Sequence, residues 1–207
     1  MIGFLADMSF KIFDRILSSM RTSQARRNCM LGKSSKVFME GKVINLSKNK
    51  HNIKFGINAR IKGEVLCFPH AGSISVGDWF YIGPNSLLWS SNDIGISIGN
   101  RVLISSNVTI FDTNSHPLDK DERYKQTQDI FKKGHPKVID TIKSAPITIE
   151  DDVWICNGAT IMKGVHIKKS AIIGANAIIL ADVSEACVIP PGNIHRGFKN
   201  NDKAYKK

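Results

Sequence analysis

The chain has 207 residues, 42% of them hydrophobic, and a formal net charge of +11 at pH 7. This length fits one domain with an appended arm, and the hydrophobic content suits a packed core rather than a disordered chain. No apolar run is long enough to span a membrane, and the charges of Asp7, Lys11 and Asp14 interrupt the N-terminus, which therefore lacks the continuous apolar core of a signal peptide.

The four cysteines are scattered along the chain without paired spacing: Cys29, Cys67, Cys156 and Cys187. This pattern favours the reduced thiols of a cytoplasmic protein over a disulfide framework or a zinc site. The basic surface can attract nucleic acid, anionic lipid, an acidic polymer or a phosphorylated cofactor. Because the sequence has no zinc finger and no aromatic RNA-binding motif, we expect neither a nucleic-acid partner nor a metal.

Residues 1–27 form an N-terminal arm with helical periodicity. One face of this helix is apolar: Ile2, Leu5, Met8, Ile12, Phe13, Ile16 and Met20. The opposite face carries Asp7, Lys11, Asp14, Arg15 and Ser18. We expect this helix to pack on the β-helix or on another subunit. The alternative is peripheral contact with the inner membrane, helped by Arg21, Arg26 and Arg27.

A loose six-residue repeat of aliphatic residues follows the arm. It comprises Val76, Ile82 and Leu88, a slip of four residues, and then Ile98, Ile104 and Ile110. Upstream aliphatic residues suggest irregular opening coils: Ile53, Ile57, Ile61 and Val65. On this count the next position is 116, where the sequence "IFDTNSHPLD" places His116. Residues 111–146 carry no repeat, which is typical of a functional excursion or a partner-binding loop.

The repeat becomes perfect from residue 149: IEDDVW, ICNGAT, IMKGVH, IKKSAI, IGANAI, ILADVS. Each hexad begins with isoleucine and has a small apolar residue in its fifth place. Neither an amphipathic helix nor a plain strand repeats at six. A fixed six-residue period predicts a parallel β-helix, an all-β fold whose coils bury their apolar edges only against one another. We place this domain at residues 28–198, followed by a basic tail at 199–207.

With these hexads and "NVTIFDTNSHPLD", the sequence resembles the hexapeptide-repeat acyltransferases. It is most similar to the branch of galactoside and maltose O-acetyltransferases and bacterial surface-polysaccharide O-acetyltransferases. The matching stretches are "VGDWFYIGPNS", "IGNRVLISSNVTIFDTNSHPLD", "PITIEDDVWICNGATIMKGVHI" and "IIGANAIILADV". The resemblance implies a left-handed β-helix, a homotrimer, and acetyl-coenzyme A bound between subunits.

The sequence departs from the family pattern at several positions. Ser115 stands where the family usually has glycine before the histidine, and Cys156 and Met162 stand where the second hexad place is often glycine. Leu180 and Ala181 replace the family's "TK", which changes part of the usual coenzyme contact. The acceptor therefore need not be a simple glycoside, since "NSLLWSSND" also offers no clear counterpart of the family's acceptor-binding asparagine.

Acetyl transfer to a hydroxyl requires a base, and histidine titrates in the appropriate range. We therefore assign His116 as general base, with its second nitrogen held by a backbone carbonyl or by a carboxylate such as Asp112 or Asp119. Trp154 ends a hexad and is expected to face outward at a corner, either as a catalytic donor in the acyl pocket or as a packing residue at a subunit seam. Other histidines, His135, His166 and His195, are expected to have no catalytic role.

The remaining predicted site residues concern the coenzyme and the acceptor. Backbone N–H groups of Cys156 and Asn157 are candidate oxyanion donors. The backbone near Ala175 could follow the pantetheine arm, and the family places nucleotide contacts where Arg196 and Lys199 stand. For the acceptor, the predicted binding residues are Trp89, Asn92 and Asn114.

These observations predict an acetyl-coenzyme A-dependent O-acetyltransferase acting on a sugar hydroxyl of a bacterial surface polysaccharide, such as a capsule or an acidic O-antigen. The alternatives are an N-acetyltransferase of a nucleotide-linked amino sugar, a purely structural β-helix that only oligomerises, and a relative of the β-helical carbonic anhydrases, which requires a three-histidine metal site.

Overall fold

The structure, a computed structural model, describes residues 2–91, 93–134 and 142–197, with side chains from residue 8 onward. Asn92, His135 and Lys199, which the sequence analysis discussed, lie outside the described residues. Within these ranges the chain forms an N-terminal helix, a stack of short strands and one helical excursion from that stack.

The chain runs through the stack in coils of three strands. Helix α1 (Ile2–Asn28) comes first, followed by β1 (Met30–Leu31), β2 (Lys36–Val37) and β3 (Lys42–Asn45). A short 3₁₀ turn, Lys50–Asn52, leads to β4 (Ile53–Phe55), β5 (Arg60–Ile61) and β6 (Glu64–Cys67). The third and fourth coils are β7 (Ser73–Val76), β8 (Tyr81–Ile82), β9 (Leu87–Ser90), β10 (Gly95–Ile98), β11 (Leu103–Ile104) and β12 (Thr109–Phe111).

An excursion containing helix α2 (Lys120–Lys133) separates β12 from the later coils. These coils are β13 (Ile147–Ile149), β14 (Trp154–Ile155), β15 (Thr160–Ile161), β16 (His166–Ile167), β17 (Ile172–Ile173) and β18 (Ile178–Ile179). The last turn carries β19 (Val188–Ile189) and β20 (Ile194–His195).

Each strand pairs in parallel with the equivalent strand of the next coil, so the coils build three flat sheets. The sheet orders are β1-β4-β7-β10-β13-β16, β19-β17-β14-β11-β8-β5-β2, and β20-β18-β15-β12-β9-β6-β3. This arrangement is a left-handed parallel β-helix, as the hexads and the resemblance predicted. We refer to the three sheets below as the first, second and third sheet in this order.

The strand register confirms that three hexads make one coil. Ile155 pairs with Ile173, and Ile161 pairs with Ile179. Across the four-residue slip, Val76 still pairs with Ile98. The additional residues leave the stack at a corner, so the slip alters one turn without shifting the buried positions.

The hexad isoleucines form the core of the solenoid. Those at positions 149, 155, 161, 167, 173 and 179 are at most 1% exposed, and the small fifth-place residues are equally inaccessible, at 2% or less. Ile53, Ile61 and Val65 of the opening coils are also fully buried, but Ile57 is 43% exposed. The opening coils are therefore irregular, and Ile57 does not belong to the buried repeat.

Helix α1 contacts all three strands of the first coil and closes that end of the solenoid. The packed side of the helix is formed by Ser18 and Ala25, both buried, and by Thr22, whose hydroxyl accepts a hydrogen bond from Val37 N at 3.0 Å. The helix thus packs on the chain's own β-helix through its small, polar side and not through the large apolar residues. Among the described residues, no helix has the length and apolar character needed to cross a membrane.

Candidate active site

The site is built where the chain leaves the stack after β12. Asp112 is buried and anchors this departure: its carboxylate accepts hydrogen bonds from Ser90 Oγ at 2.6 Å and Ser91 N at 2.7 Å. Its carbonyl accepts a hydrogen bond from Ala145 N at 2.9 Å, at the returning end of the excursion. Both ends of the excursion are thus fixed to the solenoid by one residue.

The next residues set the position of His116. Thr113 forms an antiparallel bridge with Ser144, and Asn114 N donates to Lys143 O at 3.0 Å. Ser115 has a φ of 65°, in the left-handed region that L-residues other than glycine adopt at a cost. Glycine, which the family resemblance places at this position, adopts such a φ without that cost, and the His116 that follows is exposed.

Helix α2 packs back towards this loop, and the sequence analysis did not predict it. Asp119 caps the helix, since its Oδ1 accepts hydrogen bonds from the backbone N–H of Asp121 and Glu122 at 3.0 Å. Arg123 Nη1 donates to Pro117 O and Leu118 O at 2.9 Å. A capping aspartate, a run of helix-forming residues and a closing glycine in "DKDERYKQTQDIFKKG" were signals that could have revealed the helix.

Helix α2 supplies the partner of the candidate base. The Nδ1 atom of His116 lies 2.9 Å from Oε1 of Gln126, a side chain that is itself buried. An amide oxygen can only accept, so Nδ1 of His116 is the donor, and in a neutral ring Nε2 then keeps its lone pair. The partner of Nδ1 is thus a side-chain amide and neither of the two groups that the sequence left open, a backbone carbonyl or a carboxylate; Asp112 and Asp119 are engaged elsewhere.

Trp154 lies on a different sheet from the strand that delivers His116. It begins β14 in the second sheet, is 47% exposed, and its Nε1 donates to Ser105 Oγ at 3.4 Å. Strand β12, which leads to His116, belongs to the third sheet. The outward orientation expected for the indole is observed, but one chain places the two candidate catalytic side chains on separate faces.

The two candidate oxyanion donors differ in their backbone contacts. Cys156 N donates to Ile173 O at 2.9 Å within the coil stack, so that amide is already paired. For the Asn157 amide, no backbone acceptor is found among the described residues. Burial raises the pKa of the Cys156 thiol, which favours its neutral form. Cys156 is thus suited to touch a ligand as a neutral thiol rather than as a nucleophile.

The other predicted contact residues are spread over the surface. Ala175 is half-buried at a corner, where its carbonyl accepts from Gly192 N at 2.8 Å, and Arg196 is exposed. Trp89 stacks on Phe111 with ring centroids 4.9 Å apart, and its Nε1 is buried without a hydrogen-bond partner among the described residues. Asn114 is close to the base, because its carbonyl accepts from His116 N at 2.8 Å.

Two other described histidines, which the sequence analysis expected to have no catalytic role, have structural partners. His166 Nε2 lies 2.7 Å from Glu150 Oε1, and hydrogen bonds from Lys169 N and from His166 hold the pKa of Glu150 below its usual range. His195 is buried, with Nε2 2.9 Å from the Asp182 carbonyl. Within the described ranges, no group of three or more His, Cys, Asp or Glu side chains could hold a metal ion.

The comparisons with known proteins agree with this architecture. The family of bacterial transferase hexapeptides (six repeats) matches residues 146–181, and the hexapeptide repeat of succinyl-transferase matches residues 73–112. The galactoside O-acetyltransferase of Escherichia coli (strain K12) is 32% identical over 152 residues, which is 72% of this chain and 66% of the relative. The chain belongs to the hexapeptide-repeat acyltransferase family.

Further relatives cover smaller parts of the chain. WbbJ of Escherichia coli (strain K12), provisionally named a lipopolysaccharide biosynthesis O-acetyl transferase, is 25% identical over 114 residues, 54% of this chain and 55% of WbbJ. The chain spans between about half and two thirds of the length of the curated relatives it matches.

Solved structures share the fold at low sequence identity. A single-residue mutant of AntD, an N-acyltransferase from Bacillus cereus in complex with dTDP-4-amino-4,6-dideoxyglucose and coenzyme A, superposes with a TM-score of 0.63 at 14% identity, covering 89% of each chain. The hexapeptide-repeat acetyltransferase VCA0836 from Vibrio cholerae gives a TM-score of 0.50 at 21% identity, with 84% of this chain and 75% of VCA0836 covered.

Proposed function

We propose that the protein transfers the acetyl group of acetyl-coenzyme A to a sugar hydroxyl of a bacterial surface polysaccharide, a capsule or an O-antigen. The observation that carries this proposal is the hydrogen bond between His116 Nδ1 and Gln126 Oε1, which leaves Nε2 of an exposed imidazole free to accept a proton. The proposal is further supported by the galactoside and lipopolysaccharide O-acetyltransferases among the relatives.

In the proposed reaction, His116 Nε2 takes the proton of the acceptor hydroxyl as the oxygen attacks the thioester carbonyl carbon. The tetrahedral intermediate then collapses, the carbon–sulfur bond breaks, and the leaving sulfur receives the proton from the imidazolium. Gln126 keeps the ring in one tautomer and orientation throughout. The Asn157 amide, which lacks a backbone acceptor among the described residues, is the better of the two predicted oxyanion donors.

The proposed active form is a homotrimer with its sites between subunits. Its support is that Trp154 lies on the second sheet, whereas the strand that leads to His116 belongs to the third, and adjacent chains could bring two such faces together. Coenzyme A would then lie along the corners near Cys156, Asn157 and Ala175, with Arg196 and Lys199 towards its phosphates. The four free cysteines suit the reducing cytoplasm in which we place the enzyme.

The acceptor is proposed to be an acidic glycan. The net charge of +11 favours a polyanionic partner and raises its local concentration near the protein. Trp89, which stacks on Phe111, and Asn114, whose carbonyl accepts from His116 N, are with Asn92 the proposed acceptor contacts. Nε1 of Trp89, which has no hydrogen-bond partner among the described residues, is a donor that a ligand oxygen could use.

The proposal is tested by measuring acetyl-coenzyme A-dependent transfer to acidic and neutral bacterial glycans and to nucleotide-linked amino sugars. His116→Ala is expected to lower kcat by about 10²–10⁴-fold, because a positioned base contributes on that scale. His51→Ala, which removes another exposed histidine, is the matched control and is expected to retain full activity.

Three outcomes contradict the proposal in different ways. Full activity of His116→Ala would show that His116 is not the general base. Saturable acetylation of an amino group on a nucleotide-linked sugar, with no transfer to hydroxyls, would instead establish the N-acetyltransferase alternative. No turnover with any acceptor, for wild type as for the variant, would favour a structural β-helix.

A further inference from the structure

The N-terminal helix displays large apolar side chains to solvent. Six of them have between 46% and 62% of their surface exposed: Met8, Phe10, Ile12, Phe13, Ile16 and Met20. Few folded proteins expose so many large apolar groups on one element, and a contiguous patch of this kind usually marks an interaction surface. This exposed side of α1 is called the apolar face below.

None of the described residues covers the apolar face. Ser18, Thr22 and Ala25 share the side of the helix that packs on the first coil. At 3.6 residues per turn, Ile12, Ile16 and Met20 lie on nearly the opposite side. Because the packed side lies against the first coil, the apolar face points away from the described coils and is open to a partner.

The charges on the helix indicate the chemistry of that partner. From residue 8 to residue 28 the sequence has five basic residues and one acidic residue, Asp14. The basic ones are Lys11, Arg15, Arg21, Arg26 and Arg27. Arg15 and Arg26 border the apolar face on one side and Arg21 on the other, a distribution in which long cationic side chains can reach outward past an apolar surface.

We propose that α1 binds the surface of an anionic lipid membrane through the apolar face, lying in the plane of the interface. Apolar side chains enter the acyl boundary while flanking arginines contact phosphate headgroups, as amphipathic interfacial helices do. A second copy of the chain is a poorer occupant, because pairing two such faces brings two sets of like charges together in a contact that displaces water. The proposal is independent of the acetyl-transfer proposal.

The test is co-sedimentation of the full chain with vesicles. Wild type is expected to pellet with vesicles of mixed phosphatidylglycerol and phosphatidylcholine, and much less with phosphatidylcholine alone. The variant Phe13→Ser/Ile16→Ser alters two exposed side chains, so folding is preserved, and it is expected to reduce the pelleted fraction about tenfold. Raising the salt concentration is expected to weaken binding of wild type, because screening reduces the headgroup contribution.

A matched control removes the same two residue types elsewhere. Phe131 and Ile94 are 86% and 66% exposed, so Phe131→Ser/Ile94→Ser is expected to pellet like wild type. Equal pelleting of all three proteins would overturn the proposal. It would also be overturned if wild type stays in the supernatant while Phe13→Ser/Ile16→Ser has a lower mass by light scattering, since the apolar face would then join copies of the chain.

Discussion

The coils before residue 146 and the coils after it use the same parallel strands but follow the repeat with different strictness. From Ile149 to Ile179 the hexads stack in regular register, and their first and fifth places are buried, whereas the last coil is two residues shorter, since Ile173 pairs with Ile189. Before that, the repeat is interrupted by a four-residue slip and by the excursion that carries α2. The candidate base is found at the second interruption, next to Asp112 and Gln126.

The difference shows how a repeat protein separates support from chemistry. Stacked identical coils leave little room for special side chains, because each coil must bury its apolar residues against its neighbours. A segment that leaves the stack is free of this requirement, yet it remains rigid where the solenoid holds both of its ends. Asp112 provides that attachment, and α2 then places Gln126 beside His116.

The largest expected effect is a loss of stability in the regular coils after residue 146. Ile161 is fully buried between β12 and β18, so Ile161→Ala leaves a cavity in a stack that cannot collapse, and the free energy of unfolding is expected to fall by about 2–5 kcal/mol. Ile57→Ala, in the irregular half at an exposed position, is expected to cost less than about 1 kcal/mol. Urea unfolding of both variants measures the difference, and equal losses would refute the distinction.

The next prediction concerns the partner of the base in the interrupted half. Gln126→Leu keeps the size of the side chain but removes the acceptor for His116 Nδ1, so kcat is expected to fall roughly 10–100-fold with little change in KM. Gln128→Leu, an exposed position on the same helix, is the control and should keep wild-type kinetics. A fall in both variants would point to damage of α2 rather than to loss of positioning.

A rescue variant sharpens this prediction. Gln126→Glu restores an acceptor for Nδ1 and is expected to recover most of the activity. Because a carboxylate also stabilises the imidazolium, the acidic limb of its rate profile is expected to move to higher pH. An unchanged pH profile would show that residue 126 does not interact with the imidazole of His116 during turnover.

The smallest expected effect lies at the strained residue before the base. Ser115→Gly removes the cost of a φ near 65° for a residue other than glycine. Glycine also raises the entropy of the unfolded chain, which offsets part of this gain, so the free energy of unfolding is expected to rise by about 0.5 kcal/mol. Ser75→Gly, at an exposed position in the extended strand β7, has no such strain and is expected to be slightly destabilising. Thermal unfolding of both variants measures the difference. If Ser115→Gly lost as much stability as Ser75→Gly, the φ of Ser115 would not be a source of strain.

The sequence by itself determined the solenoid, because each hexad repeats the same pattern of buried apolar residues and the pattern can be recognised without any long-range contact. It also indicated His116 as a candidate, since the motif "NSHPLD" places a histidine where the six-residue count would expect a buried aliphatic residue. The excursion was expected as a loop from residue 111; strand β12 continues through Phe111, and helix α2 lies inside the excursion. The sequence did not predict that helix, since single capping residues are weak signals without the contacts that confirm them.

Only the tertiary structure decided which group holds His116, because Gln126 is distant from any motif and meets the imidazole through the packing of α2. The same is true of α1. Its periodicity identified an amphipathic helix, but a helical pattern gives two faces without saying which one meets the rest of the chain. Hydrogen bonding of Thr22 to Val37 and burial of Ala25 chose the small, polar face for the first coil, and the large apolar residues were left on the outside.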